Sequence, residues 1–313
     1  MENLENIILF DWLTFTCTID SFSYSNLIYI LGMENYDFKL IESYRYGYSK
    51  RVEFGGISIL FDGSVGMGVC VDMSGTGCRS FESYSTLDWS TLFRRISCDG
   101  FNITRLDIAF DDHTGILDMQ RLLDDTDDHL YRSRSRWWLV EYGSTGTTIY
   151  HGSPQSNFRV RIYDKAAERG IVDGSKHWIR VEIVLRSINA KNAILELVSG
   201  LSIGNLFRGT LSNYLVYCVE SNDSNKSRWV TADYWEQLLE SSPAIRLWSC
   251  PGVDYNIFHL EKFLRDQCGG AIYTWSQLYG FDQLEDLIKT RKTKLSPKHQ
   301  KLLDMKGKFY HEK

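Results

Sequence analysis

The segment NFRVRIYDKAAE, residues 157–168, sets a tyrosine among cations in a strand-like pattern. Phe158, Val160 and Ile162 carry the apolar phase, so Arg159, Arg161 and Tyr163 share the opposite face, with Lys165 two residues on. Two other segments are built the same way. In TRLDIAFDD (104–112) Leu106, Ile108 and Phe110 leave Arg105, Asp107, Ala109 and Asp111 together, and in HWIRVEIVLR (177–186) Ile179, Val181, Ile183 and Leu185 leave Trp178, Arg180 and Glu182 together. If the three polar faces belong to one sheet, Asp107, Asp111 or Asp112, Glu182, Arg161, Arg180 and Tyr163 converge. Carboxylate oxygens of this kind suit Mg²⁺ or Mn²⁺, which keep positions open for phosphate oxygens. The chemistry such a set supports is transesterification of a phosphodiester, with the phenol oxygen attacking and the 3′-oxygen leaving. A phenol titrates near pH 10 and needs help; Arg161 and Lys165 are expected to favour the phenolate by Coulomb attraction. The competing reading is structural: arginine–carboxylate pairs stabilise ordinary antiparallel sheets, and arginine stems cover tyrosine rings on solvated faces.

Composition narrows the classes. The chain has 313 residues, 43% hydrophobic and 14% aromatic, enough for a substantial core and two domains. The stretch MENLENIILFDWLTF carries Glu2, Glu5 and Asp11 without an early basic residue, and no apolar run reaches the length of a membrane span. A cytoplasmic bacterial protein is expected. Seven scattered cysteines without a CxxC indicate neither a disulfide framework nor a zinc site.

The net charge of −5 argues against indiscriminate nucleic-acid binding, but the charge is unevenly spread. Residues 101–128 hold eight aspartates against Arg105 and Arg121, whereas 129–165 hold Arg132, Arg134, Arg136, Arg159, Arg161 and Lys165 against Glu141 and Asp164. From Lys289 onward, Arg291, Lys292, Lys294 and further lysines face only Asp304 and Glu312. These basic regions are candidates for phosphate contact, or else a solvated surface. In YRSRSRWW the arginines at 132, 134 and 136 fall on one side beside Trp137 and Trp138, a combination suited to phosphate contact with base stacking; buried tryptophans with solvated arginines are the alternative.

The elements that must position these residues are mostly strands: 8–19, 51–63, 67–75, 104–112, 136–144, 147–153, 158–165 and 177–186. Helices are expected at 88–97, 116–125, 190–199 and 233–241, and beyond SSPAIRLWSCPG (241–252) the pattern turns helical, as in NIFHLEKFLRDQ and DQLEDLIKT. The glycine-rich SGTGC (74–78) lacks the lysine and spacing of a P-loop and reads as a tight turn, so nothing indicates ATP use. No repeat stands out. The fold class is α+β, a largely antiparallel catalytic region over 1–242 with packed helices, then a basic helical region over 253–313.

The segments RLDIAFDD, GTTIYHGSPQSNFRVRIYDKAAE and WIRVEIVLR, with the earlier DWLTFT and MSGTGCRSFE, resemble the replication initiation factor family of rolling-circle plasmids, filamentous phages and integrative conjugative elements. The likeness spans most of the chain. It implies an origin-specific nicking and closing enzyme that becomes linked through a tyrosine to a 5′-phosphate. On that likeness the nucleophile is Tyr163 and two metal ligands are Asp107 and Glu182; the alternation adds Asp111 as third ligand, with Asp112 as alternative, and Arg161, Lys165 and Arg180 as assisting cations. The histidines (113, 129, 151, 177, 259, 299, 311) form no histidine–hydrophobe–histidine motif, so an all-carboxylate site for Mg²⁺ or Mn²⁺ is consistent. His113 is expected to be a turn residue and His151 an accessory residue near the phosphate. Expected partners are origin DNA, a host helicase and a second copy of the chain. Members acting as conjugative relaxases often carry an N-terminal helix-turn-helix region, and this chain enters its first strand almost at once, which favours a replication initiator. A conjugative relaxase, a hydrolytic nuclease with a water nucleophile and a non-catalytic origin-binding protein are the rival readings.

Overall fold

The computed structural model describes residues 7–19, 22–98, 100–143, 146–171, 174, 176–240, 264–289 and 303. The chain divides into two compact units, residues 1–248 and 249–313. In the first, strand β1 (Ile7–Cys17) is followed by α1 (Tyr24–Ile30) and a meander of β2 (Lys39–Arg45), β3 (Tyr48–Phe54), β4 (Ile57–Phe61) and β5 (Val69–Met73), then α2 (Gly75–Tyr84) and α3 (Trp89–Ile96). A second round begins with β6 (Phe101–Asp112) and α4 (Met119–Asp127), passes the short β7 (Tyr131–Ser133), and runs through β8 (Trp138–Gly143), β9 (Gly146–His151), β10 (Phe158–Asp164), the single turn α5 (Lys165–Glu168) and β11 (Ile179–Arg186). After it come α6 (Ile188–Val198), α7 (Ile203–Tyr214), β12 (Leu215–Tyr217) and α8 (Asp233–Leu239).

The ten-stranded sheet has the order β2-β3-β4-β5-β1-β6-β11-β10-β9-β8, with antiparallel pairing throughout. Each half is one long strand, a helix and a four-strand meander whose last member returns to pair with that long strand. The halves meet along β1 and β6. The repeat is one of topology and is not visible as a repeat of sequence.

One face of the sheet carries the core. Leu106, Ile108, Phe110, Val181, Ile183 and Ile162 are buried there against Ala190, Ala193 and Ile194 of α6 and Leu206, Phe207 and Leu211 of α7, and the Phe110 and Phe207 rings stack at 6.2 Å. This is the apolar phase of the alternation in β6, β10 and β11. Asp88, Asp118 and Asp164 cap α3, α4 and α5 by accepting from Thr91, Arg121 and Ala167 backbone N–H groups at 2.8, 2.8 and 2.9 Å.

Two sequence expectations are corrected. The segment 51–63, expected as one strand, is the β3–β4 hairpin, because Gly55 and Gly56 adopt φ of 53° and 84°, open to glycine without strain. SGTGC is no free turn: Ser74 stands at the N-cap of α2 and Gly75 to Cys78 form its first turn. The glycines have a packing reason, since a Cβ on Gly77 would sit 2.5 Å from the Gly56 carbonyl oxygen and one on Gly75 2.7 Å from Asp11 Oδ1. Helices α1, α2 and α7 and strand β2 had no counterpart among the expected elements.

In the second unit a π-helical turn over Leu264–Cys268 leads into α9 (Gly269–Lys289), interrupted at Gly280 with φ of 85°. The expected helix over 282–290 lies within α9 except for its last residue, and most of NIFHLEKFLRDQ lies outside the described residues. Among the described residues no helix is long and apolar enough to cross a membrane.

Because Gly77 meets backbone that cannot yield as a side chain could, Gly77→Ala is expected to lower stability by about 1–3 kcal/mol in urea denaturation. A change within error would show that the α2–hairpin contact is not tight.

Candidate active site

The opposite face of β6, β11 and β10 presents a grid of polar residues set by strand register. Asp111 lies opposite Arg180, which lies opposite Tyr163; in the next row Ala109 lies opposite Glu182, which lies opposite Arg161 and then Tyr150; in the third, Asp107 is followed by Val184 and Arg159. Ala109 matters by being small: the Glu182 carboxylate can lean over it towards Asp107. Asp107, Asp111, Arg180 and Glu182 are each no more than 5% exposed, and Tyr163 is 6% exposed.

Every buried carboxylate here has a guanidinium. Arg105 Nε donates to both oxygens of Asp107 at 2.9 and 3.0 Å, and Arg161 Nη1 donates to both oxygens of Glu182 at 3.0 and 3.2 Å. Arg180 clamps Asp111 with two bonds of 2.6 and 2.7 Å and turns Nη1 to Asp11 Oδ1 at 2.7 Å. The Tyr163 hydroxyl donates to Glu182 Oε2 at 3.2 Å. The Arg161 guanidinium carbon stands 5.0 Å and Lys165 Nζ 5.4 Å from the Tyr163 ring centroid, while the Lys165 ammonium pairs with Glu168.

Burial and the charge of Glu182 push Asp107 well above the usual carboxylate range, against the pull of Arg105. For Glu182 burial acts upward, but Arg161, Arg180 and Arg105 outweigh it and hold this carboxyl below its ordinary value. Of the two carboxyls, Asp107 is therefore the one that takes up a proton more readily, and Glu182 the one that stays ionised. The Tyr163 phenol is raised, first by burial and then by the Glu182 charge; Arg180 and Arg161 oppose without prevailing. The expectation that the cations poise a phenolate is thereby corrected: the resting phenol is neutral and hydrogen bonded to a carboxylate.

Among the described residues no three His, Cys, Asp or Glu side chains are gathered closely enough to hold a metal ion. Asp107 and Glu182 nevertheless fit a divalent cation: they are carboxyls on the same face of neighbouring strands, Glu182 in contact with the Tyr163 hydroxyl, and an ion such as Mg²⁺ binds through one or two carboxylates plus water and phosphate oxygens. Asp111, the expected third ligand, has both oxygens engaged by Arg180. Asp112, its alternative, lies on the other side of the strand, fully buried, accepting from the Thr114, Gly115 and Leu117 backbone N–H groups at 3.0, 3.1 and 2.7 Å and contacting His177 Nε2 at 3.0 Å. It shapes the loop after β6 and does not reach the grid.

The remaining expected residues are dispersed. His151 pairs with Val160, on the core face, and its Nε2 contacts the Tyr217 hydroxyl at 3.0 Å, which removes it from the phosphate position expected for it. His113 packs on Trp178 at 5.2 Å. Arg132 is held by Ser227 O and Thr231 Oγ1 at 2.9 and 3.3 Å, and Arg134 by Asn213 O and Oδ1, both at 2.8 Å, so both guanidiniums brace β7 against neighbouring segments. Arg136 is exposed. Lys289 pairs with Glu285 at 2.8 Å; Arg291, Lys292 and Lys294 lie outside the described residues.

Asp11 is the site residue that sequence reasoning missed. It sits at a bulge of β1, where pairing with β6 shifts register between Phe10 and Trp12. The signal was present: apolar residues fall at 8 and 10, then at 13, 15 and 17, so the alternation changes phase across Asp11.

The sequence profile of the family described as replication initiation factor matches residues 101–291, well over half of the chain. The chain belongs to the replication initiation factor family. A second profile, the N-terminal domain of rolling circle replication initiation proteins, matches residues 7–95. The two matches divide the chain where the sheet divides, one on each topological half. The solved structure of a rolling circle replication initiator protein from Geobacillus stearothermophilus is similar, with a TM-score of 0.69 and 30% identity, covering 78% of this chain and 99% of that one. A Bacillus subtilis (strain 168) protein named "Putative DNA relaxase NicK" is 25% identical over 279 residues, 83% of this chain and 78% of its own length.

In this replication initiation factor the role of Asp112 can be tested by pH. Burial raises its carboxyl, but the donors from Leu117, His177 and Thr114 outweigh that and leave it below its ordinary value. The stability it contributes is therefore present above the unfolded value near pH 3.9 and lost as pH falls through the folded one. Asp112→Asn is expected to cost about 1–3 kcal/mol at neutral pH, with the gap to the unaltered chain closing in acid. Urea titrations at neutral and acid pH check this; a gap that persists in acid would show that charge is not what Asp112 contributes.

Proposed function

We propose that this chain is a sequence-specific DNA nicking–closing enzyme, a rolling-circle replication initiator that cleaves one strand of its origin by attack of Tyr163 on a phosphodiester. The observation that carries the reading is the Tyr163–Glu182 hydrogen bond of 3.2 Å: a nucleophile already in contact with a base, beside Arg161 and Arg180. As the phenol oxygen bonds to phosphorus its proton passes to Glu182, the P–O3′ bond breaks, and the 3′-oxygen leaves with the proton that Glu182 returns. The 5′-phosphate stays on the tyrosine. Closing is the reverse: the 3′-hydroxyl attacks the phosphotyrosine, and one ester replaces another, so no nucleotide hydrolysis is needed. Arg161 and Arg180 offset the charge that develops on the phosphate. Asp107 and Glu182 would hold Mg²⁺ or Mn²⁺, which when bound offsets charge on the non-bridging oxygens. Asp111 acts through Arg180, fixing its guanidinium, and Lys165 adds positive potential behind the Tyr163 ring.

The name of the Geobacillus relative and the replication initiation factor profile favour an initiator. A relaxase of a conjugative element, the second reading, is supported by the name of the Bacillus relative and would use the same chemistry. The protein would work on origin DNA in the bacterial cytoplasm, with a host helicase and a second copy of the chain as protein partners.

One incubation tests the reading: purified protein, a supercoiled plasmid carrying the origin of its own element, Mg²⁺ or Mn²⁺, and a denaturing gel for protein–DNA adducts. Tyr163→Phe should abolish the adduct while leaving DNA affinity within about twofold, since it deletes one oxygen and keeps the ring; continued nicking by this variant would indicate a water nucleophile. Mass spectrometry of the adducted peptide should return VRIYDK, and a nucleotide on Tyr150 or Tyr142 would reassign the nucleophile. Asp107→Asn should keep DNA binding and reduce nicking by about a hundredfold or more, and full nicking would remove Asp107 from the site.

The basic C-terminal run is tested separately. Neutralising Lys289, Arg291, Lys292 and Lys294 should weaken duplex origin binding and flatten its salt dependence. An unaltered salt slope would return the run to solvated surface.

A further inference from the structure

Beyond Tyr163 the same face of the sheet continues as an alternation of rings and guanidiniums. The Arg161 guanidinium carbon stands 5.0 Å from the Tyr163 ring centroid and 6.0 Å from that of Tyr150; the Arg159 carbon stands 3.9 Å from Tyr150 and 5.7 Å from Trp137. Register produces the row: Arg159, Arg161 and Tyr163 project from one side of β10, and Tyr150 of β9 lies opposite Arg161. From Tyr163 to Arg159 the strand advances by about 13 Å, and Trp137, just before β8, extends the row towards the sheet edge.

The charge balance changes along this row. Arg105, Arg161 and Arg180 each grip a carboxylate. Arg159, among the described residues, forms no ion pair, and its Nε is buried without a hydrogen-bond partner. Glu141, the carboxylate that attracts it, is engaged by the Tyr150 hydroxyl at 3.0 Å, so this guanidinium, set between two rings, is left to receive an anion. At the far end Trp137 is 36% exposed beside the exposed Arg136. An exposed tryptophan ring is useful to a base that is not already stacked in a duplex, which points to a single strand.

We propose that Arg161, Tyr150, Arg159 and Trp137 form a track for single-stranded DNA leading away from Tyr163, in which Arg159 receives a backbone phosphate and Trp137 stacks on a base near the edge of the sheet. The track deepens the nicking reading and rests on it for the meaning of its Tyr163 end, but it predicts binding whether or not a covalent bond forms. It gives the cleavage site a direction, because strand on one side only of the scissile phosphate lies along the row.

The test uses the full chain and a fluorescein-labelled oligothymidylate of about 20 nucleotides, long enough to overrun the track. Fluorescence anisotropy should show affinity falling at least about fivefold for Trp137→Ala and for Arg159→Met. Arg159→Met should also reduce the magnitude of the salt slope by about 0.7, whereas Arg159→Lys keeps the slope. Should Trp137→Ala fail to fold, Trp137→Phe decides: it should bind nearly as the unaltered chain does, yet lose part of the tryptophan quenching that the oligonucleotide causes. Affinity and salt slope unmoved by both Trp137→Phe and Arg159→Met, with quenching intact, would overturn the track. A chain that shows the track's binding signature but never forms an adduct would overturn the nicking reading and leave the track standing. With an origin oligonucleotide, shortening from one side of the nick should erase the difference between Trp137→Ala and the unaltered chain; the same loss from either side would overturn the assigned direction.

Discussion

Glu182 is an ionised carboxylate buried at the middle of a sheet, and the surrounding residues are arranged to satisfy it. Moving such a charge out of water costs several kcal/mol unless it is paired and hydrogen bonded. Here Arg161 Nη1 reaches both carboxylate oxygens and the Tyr163 hydroxyl donates to one of them. The pairing spreads outward, since Asp107 needs Arg105, and Arg180, standing over the same charge, is held in turn by Asp111 and Asp11. Loss of one member would leave a buried charge uncompensated, so the cluster is one cooperative unit more than a set of independent bridges.

The same arrangement explains why a neutral tyrosine suits the site. A phenolate beside a buried carboxylate would add a second negative charge where burial already penalises one. Keeping the proton on Tyr163 until a phosphate arrives stores no unstable charge in the free protein. The hydrogen bond to Glu182 sets both the orientation of the hydroxyl and the route by which its proton leaves.

Much of this was legible in the residue pattern, for a definable reason. Strands β6, β10 and β11 alternate cleanly, so Asp107, Asp111, Arg161, Tyr163, Arg180 and Glu182 could be assigned to one side before their partners were known. Alternation says nothing about depth. Arg161 and Lys165 therefore seemed positioned to ionise Tyr163, when burial and Glu182 decide the matter. Nor does it say which carboxylate is already spoken for, as with Asp111 under Arg180 and Asp112 under its loop N–H groups. Asp11 was hidden by the bulge that interrupts the very pattern being read. The Gly55–Gly56 turn was overlooked because the flanking residues on both sides have the composition of strand. Arg132 and Arg134 looked like a DNA surface because their partners, Ser227, Thr231 and Asn213, are distant in sequence.

The division of the sheet into two like halves has a consequence for how the chain comes together. Residues 7–95 can complete every strand pairing of the first half as they emerge from the ribosome, but β1, its longest strand, then has one edge open until residues 101–112 follow. That edge is the seam on which the second half is laid down, and β6 in turn has its outer edge bare until β11 arrives about seventy residues later. An open edge of this length is a template for pairing with any extended chain. Asp11 lies in the seam strand, so its contact with Arg180 can form only once β11 has been added across β6. Assembly of the carboxylate–guanidinium cluster thus falls at the end of synthesis of the sheet, in the same step in which β11 closes the exposed edge of β6 and leaves only β2 and β8 as edge strands.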